Sequence, residues 1–132
     1  MRRGIAPLSC AGPHYRQQRM NSFVIIFRQG PRTLSEAELK QRSEETSAWA
    51  RQHNAAGHQL DPHILTPERA QRGPQDPAAA QAWPVTALLF LEARDLDEAA
   101  RVAEAHPALR YGANVEVRPW APPPALQKPA GS

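Results

Sequence analysis

Residues 23–27 read Phe-Val-Ile-Ile-Phe, an unbroken apolar run of aromatic and mostly β-branched residues that Gly30 and Pro31 bound. An apolar run without polar alternation predicts a central β-strand that is buried on both faces. Residues 85–91 form a second run of this kind and predict a second central strand. These two strands decide the fold class, because the rest of the chain must be arranged around them.

Helix start signals follow both strands. Ser35 and Glu38 have the spacing of a capping box, in which each side chain bonds a free backbone amide of the first turn. The helix that starts there is expected to stop at Gly57. Asp95 is the expected cap of a second helix, which Pro107 ends.

The two helices differ in the faces that they offer to a core. The expected inward stripe of the first helix is poorly apolar and consists of Leu39, Arg42 or Ser43, Thr46, Trp49, His53 and Ala56. Trp49 is its main anchor. The expected inward face of the second helix is small and apolar, with Leu96, Ala99, Ala100 and Ala103.

Two weaker strands complete the pattern. Residues 58–66 are compatible with a strand, which Pro62 confines to an edge or a bulge. Residues 67–84 are expected to be a loop or a frayed hairpin, and residues 114–118 alternate as a strand with one wet face. The order β-α-β-β-α-β predicts an α+β, ferredoxin-like fold with a four-stranded antiparallel sheet and both helices on one face. Because the central strands are apolar on both sides, the uncovered face should meet a second copy of the chain or a ligand.

Charge and composition exclude several classes of function. The chain has 132 residues and a net charge of +3, but residues 1–22 hold four arginines and no acid, so the remainder is −1. A near-neutral body lacks the clustered basic footprint of a nucleic-acid-binding protein. The single cysteine, Cys10, excludes an internal disulfide framework and a cysteine-based zinc site. No apolar run reaches the ~18 residues of a membrane span, and no motif predicts a cofactor.

Three segments are expected along the chain. Residues 1–21 are predicted to be a disordered or spurious extension, with Met20 as the plainer start of the protein. Residues 22–120 form the domain. Residues 121–132 are a proline-rich tail that we expect to be disordered.

The second helix and last strand carry a family resemblance. Residues 95–99 read Asp-Leu-Asp-Glu-Ala, Pro107 and Gly112 follow, and residues 115–119 read Val-Glu-Val-Arg-Pro. This succession resembles the YCII-related family, in its DGPF-motif branch, over about residues 22–120. The resemblance implies a bacterial-type, cytoplasmic protein whose ferredoxin-like monomers dimerise sheet to sheet into an α+β barrel. Some relatives are associated with extracytoplasmic-function sigma factors, which implies a regulatory role.

The chain departs from that family at two places. The Asp-Gly-Pro-Phe segment should fall in residues 72–84, where Gly73 and Pro74 are present but the acid and the aromatic residue are not. The histidine of the family's His–Asp dyad is missing near Glu45 and Thr46. These departures favour a homodimeric, non-enzymatic module for regulation or assembly. The alternative is a small-molecule-binding or lyase/isomerase-like protein that uses a cleft between the sheet and the first helix.

Candidate site residues follow from that alternative. Asp61 and His63 are two apart, so on a strand they share a face, where the carboxylate would orient the imidazole as a catalytic base. The candidate ligand-binding residues are Arg28, Ser43, Thr46, Trp49 and His53. We expect the pocket between the sheet and the first helix, near the second strand.

Each candidate also has a plainer interpretation. Asp61 and His63 would form a solvated edge pair, Arg28 would pair with a glutamate, and Trp49 would be a core anchor. No metal site is expected, because His53, His58 and His63 are five apart and match neither a helix face nor a strand face. His106 is expected to cap the C-terminus of the second helix as a cation.

Overall fold

The computed structural model describes residues 20–78 and 82–124. The elements are β1 (Asn21–Gln29), α1 (Glu36–Ala55), β2 (Asp61–Ile64), β3 (Val85–Ala93), α2 (Leu96–Glu104), a 3₁₀ helix (Pro107–Tyr111) and β4 (Ala113–Pro119). The strands form one antiparallel sheet in the order β2-β3-β1-β4. The predicted α+β, ferredoxin-like fold is confirmed.

The expected segments at the two ends lie largely outside the described residues. Residues 1–19 and 125–132 are not described, so the disorder predicted for them stays a prediction. β1 begins at Asn21, one residue inside the extension expected from the sequence. Among the described residues, no helix is both long enough and apolar enough to cross a bilayer.

Both N-caps form as the sequence predicts, but only the first belongs to a closed capping box. The Ser35 hydroxyl accepts a hydrogen bond from the backbone amide of Glu38, whose carboxylate accepts one from the backbone amide of Ser35. Asp95 caps α2 by accepting from the backbone amide of Glu98. The Glu98 carboxylate bonds the backbone amide and the guanidinium of Arg94 instead of closing a capping box.

The core lies between one face of the sheet and the helices. We call this side the covered face; its buried strand residues are Phe23, Ile25, Phe27, Leu89, Leu91 and Ala93. They pack in one cluster with Trp49 of α1 and with Ala99, Val102 and Ala103 of α2. β1 from Phe23 to Phe27 and β3 from Leu89 to Ala93 therefore bury alternate residues and leave the intervening ones half-buried.

The inward stripes expected for the two helices are partly wrong. In α1 only Trp49 is buried, whereas Leu39 is 43% exposed and Ala56 is exposed beyond the helix end. The physical reason is that α1 packs more closely on the 3₁₀ helix than on any strand. In α2, Val102 takes the place expected for Leu96, which is 47% exposed in the first turn.

The strand register defines a second side, the open face. Residues paired across an antiparallel sheet project to the same side. One row of pairs joins Asp61, Phe90, Val24 and Arg118, and the next row joins His63, Leu88, Ile26 and Glu116. These eight residues define the open face, on the side opposite the helices.

Candidate functional site

A cavity of about 520 Å³ lies between α1 and the covered face, beside β2. The sequence predicts a pocket at this place. The sheet supplies an apolar floor that includes Phe27, Ala87 and Leu89. α1 supplies a polar wall with Arg42, Ser43, Thr46 and Ser47, and His106 lines the same cavity.

His106 is a buried, neutral histidine. It is 7% exposed, and its Nδ1 accepts a hydrogen bond of 3.0 Å from the backbone amide of Ala108. Its ring contacts those of Phe27 and Trp49 edge-on, with centroids 4.7 Å and 4.5 Å away. Burial, reinforced by the positive charges of Arg42 and Arg110, lowers the pKa of His106 to about 4. Because Nδ1 is an acceptor, the single ring proton is on Nε2.

The role expected for His106 is therefore wrong. It caps the N-terminus of the 3₁₀ helix, not the C-terminus of α2, and it is uncharged at neutral pH. The reason is that Pro107 is the first residue of the 3₁₀ helix, so the residue before it, His106, stands at an N-cap position.

Trp49 is a core anchor that stands beside the cavity. Its indole N–H donates to the carbonyl of Val102 over 3.2 Å. Its ring also lies 5.1 Å from that of His53, and burial, with a smaller effect of His58, lowers the pKa of His53. Neither Trp49 nor His53 lines the cavity, whereas Ser43 and Thr46 do.

The three histidines considered for a metal site do not converge. His58 is buried on the covered face, where its Nδ1–H donates to the carbonyl of Glu92 over 2.7 Å. Its ring lies 5.8 Å from that of His53, but His63 is on the open face. Among residues 20–78 and 82–124, no three potential ligands come together around a metal position.

Asp61 and His63 share a strand face, as the spacing predicts, but it is the open face. His63 Nε2 lies 3.1 Å from Asp61 Oδ2, and the two side chains are 55% and 67% exposed. Arg28 lies on the same side and forms an ion pair of 3.7 Å with Glu116. The sheet therefore separates these three residues from Ser43 and Thr46, and the single pocket expected to hold all of them does not form. A catalytic role for Asp61 and His63 stays a prediction.

The open face carries an apolar strip between two charged borders. Val24, Ile26, Leu88 and Phe90 form the strip, and all four are half-buried. Trp120 adds to it, with its ring centroid 5.6 Å from that of Phe90. The polar and charged residues stand on the outer strands: Asp61 and His63 on β2, Glu116 and Arg118 on β4.

Three residues of these surfaces are not among the candidates predicted from the sequence. Ser47 and His106 line the cavity, and Trp120 covers part of Phe90. Ser47 could have been predicted from the sequence, because it lies four residues after Ser43 and so on the same face of α1. The other two depend on how the chain turns after α2 and after β4, which no local pattern shows.

In comparisons with known proteins, no family model matches this chain, and no curated protein matches it.

Proposed function

We propose that this chain is a homodimeric, non-enzymatic module for regulation or assembly, in which two copies pair through their open faces. The observation that carries the proposal is the apolar strip of the open face. Its four aliphatic and aromatic residues occupy the centre of the sheet, and no helix of residues 20–78 or 82–124 lies above them. A contiguous apolar patch with a polar rim is typical of an interaction surface.

The charges beside the strip support a second copy as the occupant. A twofold axis parallel to the strands, between β1 and β3, lays β2 of one copy over β4 of its partner. Within one row Asp61 then opposes the partner's Arg118, and in the next row His63 opposes the partner's Glu116. Val24 opposes the partner's Phe90 along the same axis. The face is therefore complementary to itself in charge and in apolar character.

This arrangement also favours a module over an enzyme. The exposed Asp61–His63 pair becomes part of the rim of the interface, where it has charged partners. The resemblance to the YCII-related family supports the same dimer, because it implies sheet-to-sheet pairing. The proposal includes what that resemblance implies about the protein, namely a bacterial type and a cytoplasmic location.

Light scattering after gel filtration tests the dimer. We expect twice the chain mass of 14.6 kDa at micromolar concentration. Ile26→Lys should give a monomer, because it buries an unpaired charge at the centre of the interface, a change of about 3 kcal/mol or more than a hundredfold in Kd.

Leu39→Lys is the matched control, since Leu39 is an exposed leucine on α1, away from the open face. It should remain a dimer. Circular dichroism on both variants separates dissociation from unfolding. A monomeric native protein, or a folded Ile26→Lys dimer, would refute the proposal. If Ile26→Lys does not fold, the variants Asp61→Arg and Arg118→Asp, alone and combined, test the interface in its place.

A further inference from the structure

The cavity beneath α1 combines a donor-rich wall with an apolar floor. Arg42 and the hydroxyls of Ser43, Thr46 and Ser47 come from consecutive turns of one helix. Among the described residues, no Asp or Glu lines the cavity. A volume of about 520 Å³ is within the range of small-molecule sites.

Arg42 has no carboxylate partner among the described residues. The acids best placed to pair with it are Glu38 and Glu45, four residues before and three after it on the same helix. Glu38 is already bonded to Arg32 and to the Ser35 amide. Glu45 accepts from Arg110, Tyr111 and Gln41. The charge of Arg42 is thus available to an anion in the cavity.

His106 lines the same cavity and carries a second free donor. Its Nδ1 is occupied by the Ala108 amide, and its Nε2–H makes no hydrogen bond to any described residue. A buried donor without an acceptor is destabilising, so a bound acceptor would stabilise this end of the cavity. The hydroxyls of Ser43 and Thr46 likewise make no hydrogen bond to any described residue.

We propose that the cavity is a binding site for a small carboxylate with an apolar body. The carboxylate binds the Arg42 guanidinium, the His106 Nε2–H and the hydroxyls of α1. The apolar body packs on the floor formed by Phe27, Ala87 and Leu89. The site is independent of the proposed dimer, because the sheet separates the cavity from the open face.

Nuclear magnetic resonance on the full chain tests the site, with phenylacetate as the probe and phenylacetamide as its uncharged analogue. We expect phenylacetate to shift the His106 ring resonances and the backbone amides of residues 42–47. Phenylacetamide should shift them much less at equal concentration, because it cannot form the ion pair with Arg42.

Variants assign the contacts. Arg42→Gln should weaken phenylacetate binding about tenfold, the effect of losing one charge-assisted hydrogen bond. Arg51→Gln is the matched control, because Arg51 is an exposed arginine of α1 outside the cavity, and it should bind as the native chain does. His106→Asn keeps an acceptor for the Ala108 amide but removes the Nε2 donor, so it should weaken binding severalfold.

Three results would overturn the site: no shift at millimolar phenylacetate, equal shifts with phenylacetamide, or native affinity in Arg42→Gln. Shifts that map to Arg28 and Arg118 would assign the anion to the open face and also overturn it. Thr46→Val serves if Arg42→Gln does not fold, since it removes a hydroxyl at constant volume and should also weaken binding. The oligomeric state, measured on the same samples, reports separately on the proposed dimer.

Discussion

At the scale of single residues, His106 links the core to solution pH. Its pKa in the folded chain is lowered to about 4 by burial, whereas an unfolded histidine has a pKa near 6.5. Between these values the unfolded chain binds a proton that the folded chain does not. The stability associated with neutral His106 is therefore complete above pH ~6.5 and is lost as the pH falls toward 4.

We expect the free energy of unfolding to fall by on the order of 3 kcal/mol over that interval, measured by urea unfolding at several pH values. His53 adds to the loss, since its pKa is also lowered. Glu38, Glu45 and Glu98 have lowered pKa values too, but they contribute mainly below pH ~4.5.

His106→Asn is the control for that assignment, because the asparagine keeps the N-cap acceptor and does not titrate. It should flatten most of the pH dependence between pH 6.5 and 4.5. An unchanged dependence in this variant would remove His106 as its source.

At the scale of elements, α1 is well started but weakly held. Its capping box is complete, yet Trp49 is the one buried residue of its twenty, whereas α2 buries three of nine. Helices gain most of their stability from packing of an apolar face. The cavity and the weak packing of α1 have the same origin. Polar residues of α1 stand at positions where larger apolar side chains would fill the space above the sheet.

We therefore expect amides of α1 to exchange with solvent at a lower free energy than those of β1, measured by native-state hydrogen exchange. Ser35→Ala should lower the opening free energy of α1 by a further ~1 kcal/mol and leave β1 nearly unchanged. Thr33→Ala is the matched control, an exposed residue before the cap. Equal protection of α1 and β1 would contradict the prediction.

The elements were largely predictable because their signals are local. Apolar runs identified β1 and β3, and Ser35 and Asp95 identified both helix starts. The site was less predictable, because it depends on which face each element presents. The spacing of Asp61 and His63 shows that they share a face, but only pairing with Leu88 and Phe90 places them on the open one. The role of His106 depended on the turn after Pro107.

At the scale of the whole molecule, the sequence predicts a sheet face that no helix of the domain covers. The strand register shows which charged residues border that face. Two-sided apolar strands were enough to infer that something must cover the face. The alignment of Asp61 with Arg118 across four strands was not visible in the sequence, because strand order and register are both needed to produce it.

The alignment of Asp61 with Arg118 gives a test of the proposed twofold axis. In the proposed dimer, Asp61→Arg would place an arginine against the partner's Arg118, and Arg118→Asp would place an aspartate against the partner's Asp61. Each contact occurs twice in a symmetric dimer, so each single variant should weaken it by about 1–2 kcal/mol, roughly five- to thirty-fold in Kd.

The double variant, Asp61→Arg with Arg118→Asp, restores opposite charges across the axis and should recover most of the native Kd. Sedimentation equilibrium at low ionic strength measures the effect, because salt screens such pairs. Glu44→Arg, the same change of charge on the exposed side of α1, should leave the Kd unchanged. An axis perpendicular to the strands would instead lay β2 on the partner's β2, and the second substitution would then not rescue the first. Failure of rescue would thus exclude the parallel axis even if the chain dimerises.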